Sequence, residues 1–161
     1  MSLITLKPID QQNFLDAFAL QLGLGQDRYV SHPIRSLAQA YVYRNQCTPF
    51  GIYHQDVMVG YLMVIYDDEE QTYNLWHMMV DQSQQQKGYG RAAIAAALDY
   101  MRQKPFGPSD KVLITCSPDN APAYRLYQQL GFAPTGRQDE DEVELFLTLQ
   151  PPVKQGKLFY F

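Results

Sequence analysis

The sequence predicts an α/β chain built on one mixed sheet, and three observations point there. Short stretches rich in β-branched and aromatic residues alternate with amphipathic stretches of helical period. The middle of the chain reads strand, helix, strand, helix, an order that places neighbouring strands parallel. Two earlier strands are separated only by Gln55 and Asp56, a connection short enough for an antiparallel hairpin. With 161 residues, 46% of them apolar, one domain with a packed core is expected without disulfide staples.

Residues 3–7 alternate apolar and polar side chains, which suits a first strand. Asp10 then offers an N-cap to a helix carrying Phe14, Leu15, Phe18 and Leu22, ended by Gly23 and Gly25. After the His32-Pro33 loop, Ser36 is expected to cap a second helix through Leu37, Ala40 and Tyr41, with Pro49 as its stop. Residues 50–54 and 57–66 form the hairpin, and the run Asp67, Asp68, Glu69, Glu70 turns into a third strand of that sheet, 73–80. From Gly88 an alanine-rich stretch around Arg91 is a strong helix, because alanine loses no side-chain entropy there. Pro105, Gly107 and Pro108 end it. A buried strand over 112–116 leads into a helix over 120–130, closed by Gly131 where a left-handed cap is favoured. Residues 142–149 alternate as a last strand, and Pro151-Pro152 ends regular structure.

Charge narrows the function. Thirteen Lys and Arg against 17 Asp and Glu give a net −4, with no cationic field for a phosphate backbone, so nucleic acid is not expected as a partner. No window reaches 18 uncharged apolar residues, and the N-terminal residues lack the basic start and apolar run of a signal peptide. The expectation is a soluble, cytoplasmic protein with no membrane partner. Cys47 and Cys116 lie far apart without CxxC spacing, which predicts reduced thiols and no metal.

Two motifs carry chemistry. Gln85, Gln86, Lys87, Gly88, Tyr89, Gly90 and Arg91 sit between a strand and the start of the alanine-rich helix. A helix start leaves unpaired amides and a positive dipole end, and glycines let a phosphate approach them, so an anion site is implied. Lys87 and Arg91 add positive charge. The pattern lacks GxxxxGK[ST], which disfavours kinase or ATPase chemistry, and a dinucleotide fold fits poorly because its strand comes from a hairpin. The second motif runs from Asn120 to Phe132 after a buried strand. Asn120 is a natural N-cap, and Tyr127, two helical turns on, shares its face. A phenol there can donate a proton, or simply pack as an aromatic.

On these residues the chain resembles the GCN5-related N-acetyltransferase (GNAT) family over about residues 3–149. The resemblance rests on the [RQ]xxGx[GA] loop at Gln85, Gly88 and Gly90 and on NxxAxxLYxxxGF from Asn120 to Phe132. It is most similar to the bacterial spermine/spermidine acetyltransferase-like group, through residues 36–41, 76–81 and 85–91. The fold so implied is a mixed, mostly antiparallel sheet of six to seven strands, its central parallel pair splayed for the cofactor, flanked by about four helices. Residues 1–150 would form one acetyltransferase domain, and residues 151–161 a C-terminal tail.

The resemblance implies transfer of acetyl from acetyl-CoA, as cosubstrate, to a primary amine. The pyrophosphate would lie on the amides of residues 85–91 and the pantetheine arm along Met79 and Val80. Asn120 would contact the cofactor, and Tyr127 would protonate the departing thiolate. The chemistry asks for similar parts: an amine near pKa 10 must lose a proton, an oxyanion needs an N–H donor such as Val80, and the thiolate needs an acid. The base has no assignment. Asn74 stands near the place of a catalytic glutamate in some members, and an amide cannot take the proton. His77, in a strand, is a candidate base or substrate contact, with packing as its ordinary role, and a water chain to Asp67, Asp68, Glu69 or Glu70 is another route.

Nine of the 17 acidic residues fall in two runs, 67–70 and 139–144. If they converge on the acceptor cleft, they favour a cationic amine such as spermidine or spermine; otherwise they are solvated turns. Protein N-termini, antibiotics and amino acids are alternative acceptors, and a non-catalytic acyl-CoA sensor is the alternative from another class. A homodimer is a further expectation, while the aromatic end Phe159, Tyr160, Phe161 is expected to fray.

Overall fold

The computed structural model describes residues 3–151, so the tail from Pro152 to Phe161 lies outside the described residues. Seven strands form one sheet: β1 (Thr5–Pro8), β2 (Cys47–His54), β3 (Val57–Asp67), β4 (Thr72–Val80), β5 (Lys111–Cys116), β6 (Ala133–Asp139) and β7 (Glu142–Thr148). Their spatial order is β1-β2-β3-β4-β5-β7-β6, antiparallel throughout except for the central parallel pair β4–β5. The helices are α1 (Phe14–Ala19), α2 (Pro33–Val42), α3 (Tyr89–Arg102) and α4 (Ala121–Gln129).

Apolar patterning explains the layers. In β3, Leu62, Val64 and Tyr66 join a core with α3, whereas Tyr61, Met63 and Ile65 join a second core with Ala40 of α2 and Leu20. Successive strand residues face opposite sides, so burial on both faces produces an unbroken apolar run. On α3, Ala93, Ile94, Ala97, Leu98 and Met101 make one buried stripe, and the alanines bring the helix close to the sheet. Tyr73 clamps the loop after α3: its hydroxyl donates to Gly107 O (2.7 Å) and accepts from the amides of Phe106 (3.2 Å) and Gly107 (3.1 Å). Tyr73→Phe leaves those groups without their partner and is expected to cost about 2–3 kcal/mol in urea unfolding.

Four local expectations need correction. Ser36 does not cap α2; the helix starts earlier at Pro33, and His32 Nδ1 accepts from Ile34 N (3.1 Å), while Ser36 is fully buried within the helix. Pro at the first helical position lacks only an amide that is unpaired there anyway. Asp10 accepts from the amides of Gln12 and Asn13 in a turn, and α1 is short, leaving Leu22 beyond its end. Pro49 is not a stop but a residue of β2, just past the end of β1. β6 was not expected, because Pro134 and Gly136 break its alternation; it survives as an edge strand on β7 with an irregularity between Pro134 and Gln138.

Candidate active site

The site begins where the sheet splits. β4 and β5 pair only at Tyr73↔Val112 and Asn74↔Leu113, and beyond Asn74 the two strands diverge. A bulge reinforces the divergence: Tyr61 faces Met79 and Met63 faces Trp76, so Leu62 stands opposite both His77 and Met78. His77 takes the extra residue's left-handed backbone, φ +54°, a region that histidine enters more readily than most side chains. Gly60 completes the bend, since a β-carbon there would lie 2.4 Å from Met79 O.

Two cavities fill the split. One of about 380 Å³ is lined by Met79 and Val80 from β4, by Gln85, Gln86, Gly88, Tyr89 and Gly90 from the loop, and by Ala123 and Leu126 from α4. The other, about 540 Å³, is lined by Asn74, Trp76 and His77 from β4, Cys116 from β5 and Glu142 from β7. Tyr29, Val30, Met78, Asn120 and Tyr127 line both. Tyr29 and Val30 follow a 3-10 turn, Gln26–Arg28, and no periodicity or motif marks them in the sequence.

The loop cavity suits an anion joined to an apolar arm. Gly88 starts α3 at φ +81° with no side-chain cap, and a β-carbon there would meet nothing within 4 Å. Among the described residues, none accepts a hydrogen bond from the amides of Gly88, Tyr89, Gly90 or Arg91. Gly88, Tyr89 and Gly90 line the cavity at this dipole end, and Met78, Met79, Ala123 and Leu126 continue the wall as hydrocarbon.

Side chains of the loop hold it in place. Gln85 Nε2 donates to Val80 O (3.1 Å) and Gln26 Oε1 (2.9 Å). Lys87 donates to Gln84 and Arg91 to Gln129, and neither lines a cavity. Asp81, which sequence reasoning passed over, accepts from Ser83 and from the amide of Gln21. Burial alone would raise its carboxyl, but these bonds hold it below the usual range.

Asn120 occupies the N-cap position of α4 yet makes no side-chain cap bond, and it lines both cavities. Tyr127 joins it there, 8% exposed. Burial, and then the neighbouring Cys116 thiol, push the phenol well above its ordinary pKa, so it keeps its proton at neutral pH. Burial and Glu142 raise Cys116 to about 11. His77 is lowered, first by burial and then by Arg35, and is therefore neutral at pH 7.

The two acidic runs meet at one arginine and, with one exception, lie outside both cavities. Asp67, Asp68, Glu69 and Glu70 lie at the β3–β4 turn and line neither cavity; Asp67 accepts from the amides of Glu69 and Glu70. Arg137 ties the runs together, 3.1 Å from Glu70 and 4.0 Å from Glu144. Only Glu142 of the nine lines the larger cavity. Among the described residues there is no cluster able to hold a metal and no helix long and apolar enough to cross a membrane.

A split parallel pair with an amide cradle at one end and a protonated phenol at its centre is the architecture of an acyl-CoA-dependent transferase. The profile of the Acetyltransferase (GNAT) family matches residues 16–132, and the chain belongs to that family, with acetyl-CoA as its cosubstrate. It is similar to the spermine/spermidine N(1)-acetyltransferase of Bacillus subtilis, 22% identical over 145 residues, covering 84% of this chain and 91% of the relative. Its fold is that of the Vibrio cholerae spermidine N-acetyltransferase solved with CoA and spermine (TM-score 0.70, 18% identity, 92% and 96% of the two chains). It is also that of RimL, a ribosomal L7/L12 alpha-N-protein acetyltransferase solved with coenzyme A (TM-score 0.73, 15% identity, 92% and 96%).

Proposed function

We propose that this acetyltransferase acts on a primary amine of a small cationic substrate of the polyamine type. One observation carries the reading: the larger cavity is lined by a carboxylate, Glu142, and the rings of Tyr29, Trp76 and Tyr127, with no lysine or arginine. Such a lining favours a cation through charge and through aromatic faces, and it disfavours an anionic acceptor. The names of the Bacillus and Vibrio relatives support the same class.

In this reading the amides of residues 88–91 hold the pyrophosphate and Met79 and Val80 border the pantetheine arm. Gln85 and Gln86 shape the loop, and Asn120 contacts the cofactor. Lys87 and Arg91 add long-range positive charge at its rim. The cosubstrate supplies an activated acetyl carbon. Tyr127 gives its proton to the departing sulfur, and the cavity beside Glu142 aligns the amine.

The test is calorimetry with acetyl-CoA followed by thiol release across spermidine, spermine, monoamines, amino acids and peptides with free N-termini. Turnover is expected to be highest with the polyamines. Glu142→Gln is expected to raise KM for them up to about fivefold, as befits an exposed charge, with kcat little changed. Preference for a peptide N-terminus would replace the acceptor class, and cofactor binding without any transfer would favour a sensor.

A further inference from the structure

Three side chains from three elements meet behind the larger cavity. Tyr61 Oη of β3 lies 2.8 Å from Ser36 Oγ of α2, which lies 2.7 Å from His77 Nδ1 of β4. Ser36 and Tyr61 are both 0% exposed, so water does not compete for these bonds. With Nδ1 engaged, Nε2 is the ring nitrogen left for the cavity that His77 lines together with Tyr127 and Asn120.

Building on the amine-acetylation reading, we propose that His77 Nε2 accepts the proton of the attacking amine, and that Ser36 and Tyr61 are positioning residues that hold its other nitrogen as Nδ1–H. A hydrogen-bond chain of two hydroxyls can run in either sense. If Tyr61 donates to Ser36 and Ser36 to Nδ1, the ring hydrogen sits on Nε2 and the cavity meets a donor. If Nδ1–H donates to Ser36 and Ser36 to Tyr61 Oη, Nε2 presents a lone pair. Only the second sense permits proton uptake, and uptake yields an imidazolium whose Nδ1–H keeps the same partner.

The step balances without another reactant. The attacking amine first gives its ammonium proton to solvent; its lone pair then forms the C–N bond, and the N–H bond breaks with its electron pair staying on nitrogen and its proton passing to Nε2. The C–S bond breaks with its pair on sulfur, which takes the Tyr127 proton. Return of one proton from His77 to Tyr127, through solvent, restores both groups. The nitrogen becomes acidic only as it bonds to carbon, so a weak, neutral base suffices at that moment.

The surroundings keep that base neutral. Arg35 and Ser36 face it from α2, Tyr61 from β3 and Trp76 from its own strand. Tyr29, Cys116, Tyr127 and Glu142 line the same cavity. Burial, then Arg35, depress its pKa below 6.5. His77 is therefore expected to contribute an acidic limb with a midpoint below 6.5, its share of the rate lost as pH drops through it, beneath the separate rise with pH as the amine near pKa 10 loses its ammonium proton.

The experiment combines a tautomer measurement with kinetics. Two-bond proton–nitrogen spectra of histidine-labelled protein, with His77 identified by its loss in His77→Asn, are expected to show Nδ1–H and a bare Nε2. Asparagine tolerates the left-handed backbone, so His77→Asn is expected to fold and bind acetyl-CoA while losing about 100-fold in kcat together with the acidic limb. His77→Gly, which also fits that backbone, is expected to recover rate on adding imidazole. Tyr61→Phe removes the terminal acceptor and is expected to lower kcat severalfold, whereas the opposite chain sense predicts no change. A protonated Nε2 at neutral pH, or an acidic limb that survives His77→Asn, overturns the inference while leaving amine acetylation intact. Failure of the wild-type protein to acetylate any amine overturns both.

Discussion

Tyr127→Phe is expected to lower kcat about 100-fold, within the range of a lost general acid, while acetyl-CoA affinity stays within about twofold. The ring is buried and packs edge-on against Phe132, with centroids 6.0 Å apart, so phenylalanine preserves the hydrocarbon contacts and removes only the hydroxyl. Among the described residues none hydrogen-bonds that hydroxyl, so its removal orphans no protein group there. Because burial holds the phenol's pKa above its ordinary value, it stays protonated throughout the neutral range, as the proposed acid must. The loss should shrink when the thiol leaving group is made more acidic, since such a group needs less help. Equal losses for good and poor leaving groups, or an unchanged rate, would remove the acid role.

The second large effect is expected at a residue with no chemistry of its own. Gly60→Ala introduces a methyl 2.4 Å from Met79 O, a backbone atom that cannot swing aside, with Val80 Cα a further 3.2 Å contact. Relief requires β4 to move at its bulge, where it passes from the larger cavity to the loop cavity. A cost of about 2–3 kcal/mol is expected, as for other overpacked sites, or roughly 5–10 °C in Tm for a chain of this size. Acetyl-CoA affinity should fall with it, because Met79 and Val80 border the smaller cavity. Differential scanning calorimetry with and without acetyl-CoA separates the two losses; an unchanged Tm would mean that the strand yields freely.

The sequence carried the frame of this site more clearly than its chemistry. Strands, the alanine-rich helix and the glycine loop are local signals, set by side-chain period and by backbone freedom, so they were legible residue by residue. Asn120 and Tyr127 were legible because helical spacing alone puts them on one face. β6 was hidden, since an edge strand held by its partner needs no periodicity of its own. Tyr29, Val30 and Glu142 come from separate segments that only the tertiary fold brings to the cavity. The Ser36–Tyr61–His77 chain was hidden for the same reason: the serine reads locally as a helix cap, which it is not, the tyrosine reads as β propensity, and nothing local joins Ser36 to partners 25 and 41 residues away. The acidic runs left two readings open, because one local composition serves both a solvated turn and a cleft wall, and only Glu142 of the nine lines either cavity.

Five residues that wall both cavities give the enzyme a constraint on its kinetics. On the proposed reading, two molecules seated in these cavities share the walls formed by Tyr29, Val30, Met78, Asn120 and Tyr127, so each one's residence would alter the other's environment. A shuttle in which the first departs before the second arrives gains nothing from such a layout. A ternary complex does, and its signature is a family of initial-velocity lines that intersect instead of running parallel.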